Sequence, residues 1–101
     1  MRVLFTPRAD RQMADLFDYV SDHASEVVAT RYLGRIVAFC EALDVFPLRG
    51  QQRNDILPGL RTIGFERRIT IAFVVETEAV LIEGIFYGGQ DFESLLKPGE
   101  T

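Results

Sequence analysis

The sequence predicts an α+β fold: an antiparallel helical hairpin packed in two layers on a mainly antiparallel β-sheet, with one short strand ahead of the helices. Three observations predict it. Two consecutive segments carry apolar residues at steps of three and four, as amphipathic helices do. Three later segments are strand-length runs rich in β-branched and aromatic residues. Only short turns separate the two helical segments, and the last two strands, so each pair closes on itself.

Arg2 to Thr6 reads as a strand through Val3, Leu4 and Phe5. Thr6-Pro7 then starts a helix, because threonine accepts a bond from an orphan amide and proline loses nothing at the first helical position. This helix is expected from about Pro7 to His23, with Ala9, Met13, Leu16, Phe17, Val20 and Ala24 on one stripe. Asp15, Asp18 and Asp22 take the other side, with Arg11 one turn before Asp15. Ser25-Glu26 supplies a second capping hydroxyl and an acid in the first turn. The second helix is expected to reach about Val45, with Ala29, Tyr32, Leu33, Ile36, Cys40 and Leu43 on its stripe. Phe46-Pro47 ends it, since a residue before proline avoids helical geometry.

Pro47 to Gly59 reads as irregular chain, punctuated by Gly50, Asn54, Pro58 and Gly59. Pro58 and Gly59 act as shape residues that aim the next strand. Strands are expected at Leu60 to Glu66, Arg68 to Glu76 and Ala79 to Tyr87, with a tight hairpin at Thr77-Glu78. In the middle strand Ile69, Ile71, Phe73 and Val75 face one way, and Arg68, Thr70, Ala72 and Val74 the other. A strand apolar on both sides belongs in the centre of the sheet. Gly88-Gly89 reads as a backbone turn out of the last strand, since its spacing matches no phosphate-binding loop. Asp91 to Leu96 can form one helical turn. The helices cover one face of the sheet. The other keeps apolar candidates at Val74, Leu81, Ile85 and Tyr87, which a partner chain would cover.

The 101 residues are expected to form one domain, 1–101, and the apolar share of 48% supports a real core. A single cysteine, Cys40, excludes an internal disulfide and suits a reducing compartment. The sequence shows no signal-peptide pattern and no run near the ~20 apolar residues of a membrane helix. We therefore expect a cytoplasmic protein with no membrane contact. The net charge of −4 argues against broad binding to nucleic-acid phosphates. Charge is uneven, however. Residues 49–68 carry a local +3 and residues 69–101 a local −5. The first segment reads as a solvated loop and strand edge, or as a basic patch for an acidic or phosphate-bearing partner.

Chemistry finds little footing. His23 and Cys40 share no ligand spacing, so neither a metal nor another cofactor is expected. His23 reads as a helix-end residue and Cys40 as a small core hydrophobe. Nothing resembles a nucleophile with its base, so no catalytic residue is assigned.

Four segments carry a family resemblance: Met13-Ala14-Asp15-Leu16-Phe17-Asp18-Tyr19-Val20, Pro47-Leu48-Arg49-Gly50-Gln51-Gln52-Arg53, Asp55-Ile56-Leu57-Pro58-Gly59-Leu60-Arg61, and Tyr87-Gly88-Gly89-Gln90-Asp91. In order and spacing they resemble the ParE branch of the RelE/ParE toxin superfamily, over nearly the whole chain. The resemblance implies the two-layer fold above. It also implies a toxin of a type II toxin–antitoxin system that inhibits DNA gyrase by contact and is neutralised by a ParD-like antitoxin. Candidate target contacts are then Arg61, Arg67, Arg68 and Tyr87. Candidate antitoxin contacts are Val74, Leu81, Ile85, Phe92 and Leu95. Pro58, Gly59, Gly88 and Gly89 are shape residues of the matched segments. Nucleic acid would be met only through the antitoxin complex.

RelE-like members are similar in fold but cut messenger RNA on the ribosome. That reaction needs a base, an acid and cations for the charged phosphorane. Arg61 and Tyr87 match parts of such a set. Yet Lys97 is the only lysine, and Gln90 stands where a second basic residue is expected. The RNase is thus the alternative, with a non-toxic relic that only binds its antitoxin as a third reading.

Overall fold

The computed structural model describes residues 1–88 and 95–96. Its elements are β1 (Arg2–Phe5), α1 (Pro7–His23), α2 (Glu26–Glu41), β2 (Gln51–Gln52), β3 (Leu60–Phe65), β4 (Ile69–Val75) and β5 (Ala79–Tyr87). They form a two-layer α+β structure, as the sequence predicts. The strand order is β1-β5-β4-β3-β2. β1 runs parallel to β5 and every other pair is antiparallel. β4 is central and is buried on both faces through Ile71, Ala72 and Phe73.

Both helix starts follow from their caps. Thr6 Oγ1 accepts the Ala9 N–H at 3.2 Å, and Ser25 Oγ accepts the Val28 N–H at 3.1 Å. α2 stops at Glu41, short of the expected Val45. Ala42–Asp44 tightens into a turn of 3-10 helix, which keeps Leu43 in the core. The helices cover one face of the sheet. Leu16, Leu33, Ile36 and Cys40 meet Ile71, Phe73, Val80 and Ile82 there.

The second face carries its own small core of Ile56, Leu60, Ala72, Phe86 and Leu96, with Leu57 and Val74 against it. The segment expected to be irregular supplies part of this cover. Gly59 (φ +80°) follows Pro58 in a turn closed by Leu60 N–H to the Leu57 carbonyl at 3.1 Å. Asn54 Oδ1 accepts the Gly59 N–H at 2.8 Å, and Arg53 pairs with Asp55 at 2.8 Å. The folded loop presses Ile56 onto the sheet. Upstream, Gly50 (φ +80°) turns the chain into β2, a two-residue strand that the sequence does not announce. Gly88 (φ +67°) ends β5 as the expected turn. Gly89 lies outside the described residues.

One irregularity changes which residues face where. Ala72 pairs with Gly84 but Phe73 pairs with Ile82, so Glu83 is an extra residue in β5. Strict alternation would put Leu81, Ile85 and Tyr87 together on the second face. With the bulge, Ile85 turns to the helices and is buried. Tyr87 also packs against the helix-side core, and Phe86 takes the second face instead. The expected antitoxin contact at Ile85 is corrected accordingly: its side chain is core.

Candidate functional site

Two surfaces follow from this packing. The first lies on the outward face of the sheet. Leu4 pairs with Leu81, Leu81 with Val74, and Val74 with Leu60. Since cross-strand partners share a face, these four form one apolar row across β1, β5, β4 and β3. Leu60 is fully covered, Val74 and Leu81 are half-buried, and Leu4 is 38% exposed. The row thus opens to solvent toward the β1 edge. Leu95 is 52% exposed beside the buried Leu96. Phe92 lies outside the described residues. Leu4 was missed in the sequence because its place depends on the parallel pairing of the two most distant strands.

The second surface lies on the helix side, where α2 meets the β3–β4 hairpin and the end of β5. A cleft of about 380 Å³ opens there. Val20, Val28, Tyr32 and Tyr87 give it apolar and aromatic walls, and Arg31, Arg35 and Arg68 its positive rim, with Glu66 as the one acid. Glu66 and Arg67 have φ of +47° and +68° at the hairpin tip. Arg35 grips Glu66 through two bonds, Nε to Oε2 at 2.8 Å and Nη2 to Oε1 at 3.0 Å. This pairing holds the Glu66 carboxyl below its ordinary range and pushes the Arg35 guanidinium up. Arg35 also lies over the Tyr32 ring, 5.3 Å from its centroid. Burial pushes the Tyr32 hydroxyl upward, and Tyr87 and Glu66 add to the rise. The Arg68 backbone is tied down at both ends, by its N–H to the Glu66 carbonyl and by Gly88 N–H to its own carbonyl, each at 2.7 Å.

Tyr87 also walls a smaller cavity of about 260 Å³, with Gln12, Asp15, Leu16, Tyr19 and Ile85. Its ring sits 5.7 Å from that of Tyr19, which stacks on His23 at 4.1 Å. His23 Nδ1 donates to the Tyr19 carbonyl at 2.8 Å, the helix-end role its position predicts.

The four expected target contacts do not converge. Arg68 and Tyr87 line one cleft, and Arg67 is exposed at the hairpin tip. Arg61 pairs with Phe73, whereas Tyr87 pairs with Ile69. Four residues of β4 separate these rows, about 13 Å at strand rise. Arg61 instead reaches back to the Arg49 carbonyl at 3.4 Å, and Arg49 lies 5.6 Å over the Phe39 ring. Arg31 and Arg35 were missed because two arginines one turn apart on a helix look like an ordinary solvated face.

The family model for the ParE toxin of the type II toxin–antitoxin system parDE matches residues 3–92. The chain belongs to the ParE toxin family. Among solved structures it is similar to a protein from the chromosomal ParDE toxin–antitoxin system of P. aeruginosa. The TM-score is 0.76 at 22% identity, over 87% of this chain and 96% of that one. No curated protein matches the sequence significantly. The ParE chain carries no group of three metal-ligating side chains among its described residues. No helix among them is long and apolar enough to cross a membrane. Burial pushes the Cys40 thiol of this ParE toxin up to about 12, with the Glu41 charge adding to the rise, which disfavours the thiolate.

Proposed function

We propose that this ParE-family toxin acts in the cytoplasm by contact, inhibiting DNA gyrase without catalysis, and that a ParD-like antitoxin neutralises it. The observation that carries this reading is the outward apolar row Leu4–Leu81–Val74, open at one end and continuous with a buried core. A row of this kind suits an amphipathic segment that orders on binding and lays its apolar side across the strands. Val74, Leu81 and Leu95 are its candidate contacts. Phe92 belongs to the same expectation from sequence. Arg61, Arg67, Arg68 and Tyr87 are the candidate target contacts, presented on other surfaces than the row. Arg61 is engaged with the Arg49 carbonyl and lines no cleft with Tyr87, which weighs against the RNase, whose groups must meet around one phosphate.

Expression without antitoxin tests the reading. Growth should stop, supercoiling by purified gyrase should fall on addition of the toxin, and bulk messenger RNA should stay intact. Messenger cleavage at ribosomes would support the RNase, and normal growth with a folded product the relic. Arg61→Ala should lower toxicity and keep antitoxin affinity within about tenfold, or roughly 1.4 kcal/mol. Undiminished toxicity removes Arg61 from the contact set.

A further inference from the structure

The cleft between α2, the β3–β4 hairpin and β5 is built for more than solvent. Its three arginines come from two elements distant in sequence, α2 and the hairpin. Glu66 neutralises only Arg35. Arg31 and Arg68 have no carboxylate partner among the described residues, so the cleft keeps a surplus of two positive charges. The elements that frame it are tied to one another. The two-bond Arg35–Glu66 clamp joins α2 to the hairpin, and Gly88 joins the hairpin to the end of β5. A preorganised site loses less entropy when it is filled.

We propose that this cleft is the anchor for one carboxylate side chain of the toxin's protein target, seated beside an apolar residue of the same segment. Charge complementarity calls for an anion, and Val20, Val28 and the two tyrosines call for an apolar neighbour. A single carboxylate suits the site better than a chain of phosphates. Beyond Tyr87 the surface continues into the cavity that holds Asp15, where a second negative charge is repelled. The whole molecule, at −4, also disfavours a polyanion. The antitoxin is assigned to the outward row, on the opposite side of the sheet from this cleft. The proposal rests on the target reading above and adds Arg31, Arg35 and Tyr32 to it.

The experiment compares gyrase supercoiling inhibition by the wild type, by Arg31→Glu with Arg68→Glu, and by Arg8→Glu with Arg11→Glu. The last pair makes the same charge change at exposed positions of α1. A milder pair, Arg31→Gln with Arg68→Gln, covers the case that reversal disturbs folding, which circular dichroism monitors. The cleft reversal should raise the inhibitory concentration by about tenfold or more, and the salt dependence seen in the wild type should flatten. The α1 reversal should leave both near wild type. Equal losses in the two reversals, or none in either, overturn the proposal while a wild type that inhibits keeps the target reading. A wild type that leaves supercoiling untouched removes the target reading and the anchor with it. Binding of a labelled DNA or RNA duplex that is lost only in the cleft variants would overturn the carboxylate assignment in favour of phosphate.

Discussion

Gly50→Ala should be among the most damaging small substitutions in this chain. A Cβ at position 50 would lie 2.4 Å from the Thr62 carbonyl oxygen and 3.1 Å from its carbon. These are backbone atoms of β3 and cannot swing aside. The φ of +80° adds a conformational cost of about 1–2 kcal/mol for any L-residue. The overlap adds about 1–3 kcal/mol if the strand shifts to relieve it. The total, about 2–5 kcal/mol, is a large part of the stability of a typical domain. Gly59→Ala separates the two costs. It has the same φ of +80°, but its nearest new contact is Val74 Cγ1 at 3.8 Å, so only the conformational cost of about 1–2 kcal/mol applies. Gly34→Ala, inside α2 with nothing within 4 Å, should gain about 0.5–1 kcal/mol. Urea titration of the three variants should order them Gly34→Ala above wild type, then Gly59→Ala, then Gly50→Ala. The last should also melt lower by about 10 °C or more. Equal losses at positions 50 and 59 would refute the argument, because they would mean that the Thr62 carbonyl imposes no wall.

Three further outcomes are expected. Leu81→Lys places a charge in the middle of the apolar row. It should weaken antitoxin binding about tenfold or more, read by calorimetry, and cost the free toxin about 1–2 kcal/mol of stability. The Arg35–Glu66 pair should make stability sensitive to acid. Since the folded state lowers the Glu66 value, the contribution is present above the unfolded value of 4.5 and is lost as pH falls through the lower, folded one. Melting of Glu66→Gln should therefore change less than wild type between pH 6 and pH 3 (about the glutamate range), and equal slopes would remove the pair from the account. Cys40 should resist iodoacetamide at pH 8 (about half a unit below an ordinary thiol) and react only as urea unfolds the protein; prompt labelling in buffer would contradict its burial.

Much of the fold was legible because local signals and packing agree. Thr6-Pro7 and Ser25-Glu26 cap the helices as read, and α1 starts at Pro7 and ends at His23. β5 spans Ala79–Tyr87 as its pattern predicts. What escaped depends on long-range geometry. β2 is two glutamines long, and only their pairing with Arg61 and Thr62 makes them a strand. The end of α2 moved because Ala42–Asp44 tightens into a 3-10 turn, with Leu43 buried in the core. Of the candidate surfaces, Val74 and Leu81 were readable from period-two alternation. Ile85 and Tyr87 were both placed on the wrong face by the same rule, since no local signal marks Glu83 as an inserted residue. The arginine cleft was half-read through Arg68 and Tyr87. Its α2 half needed the Glu66 carboxylate, 31 residues away from Arg35, to show what those arginines face.

The bulge at Glu83 divides the work of β5. Ahead of it, β1 lies along Ala79–Ile82, and Leu81 joins the outward row. Past it, β1 has ended and α1 takes over that edge. Gln12 Oε1 accepts the Ile85 N–H at 2.7 Å, so the amide is satisfied where the ladder stops. The reversed alternation then sends Tyr87 to the helix side, where it walls both cavities. Without the extra residue, Ile85 and Tyr87 would sit beyond Leu81 on one uninterrupted outward face, and the helix side would lose the ring that closes the cleft. One inserted residue thus lets a nine-residue strand serve two surfaces of opposite character, apolar on one side of the sheet and cationic on the other.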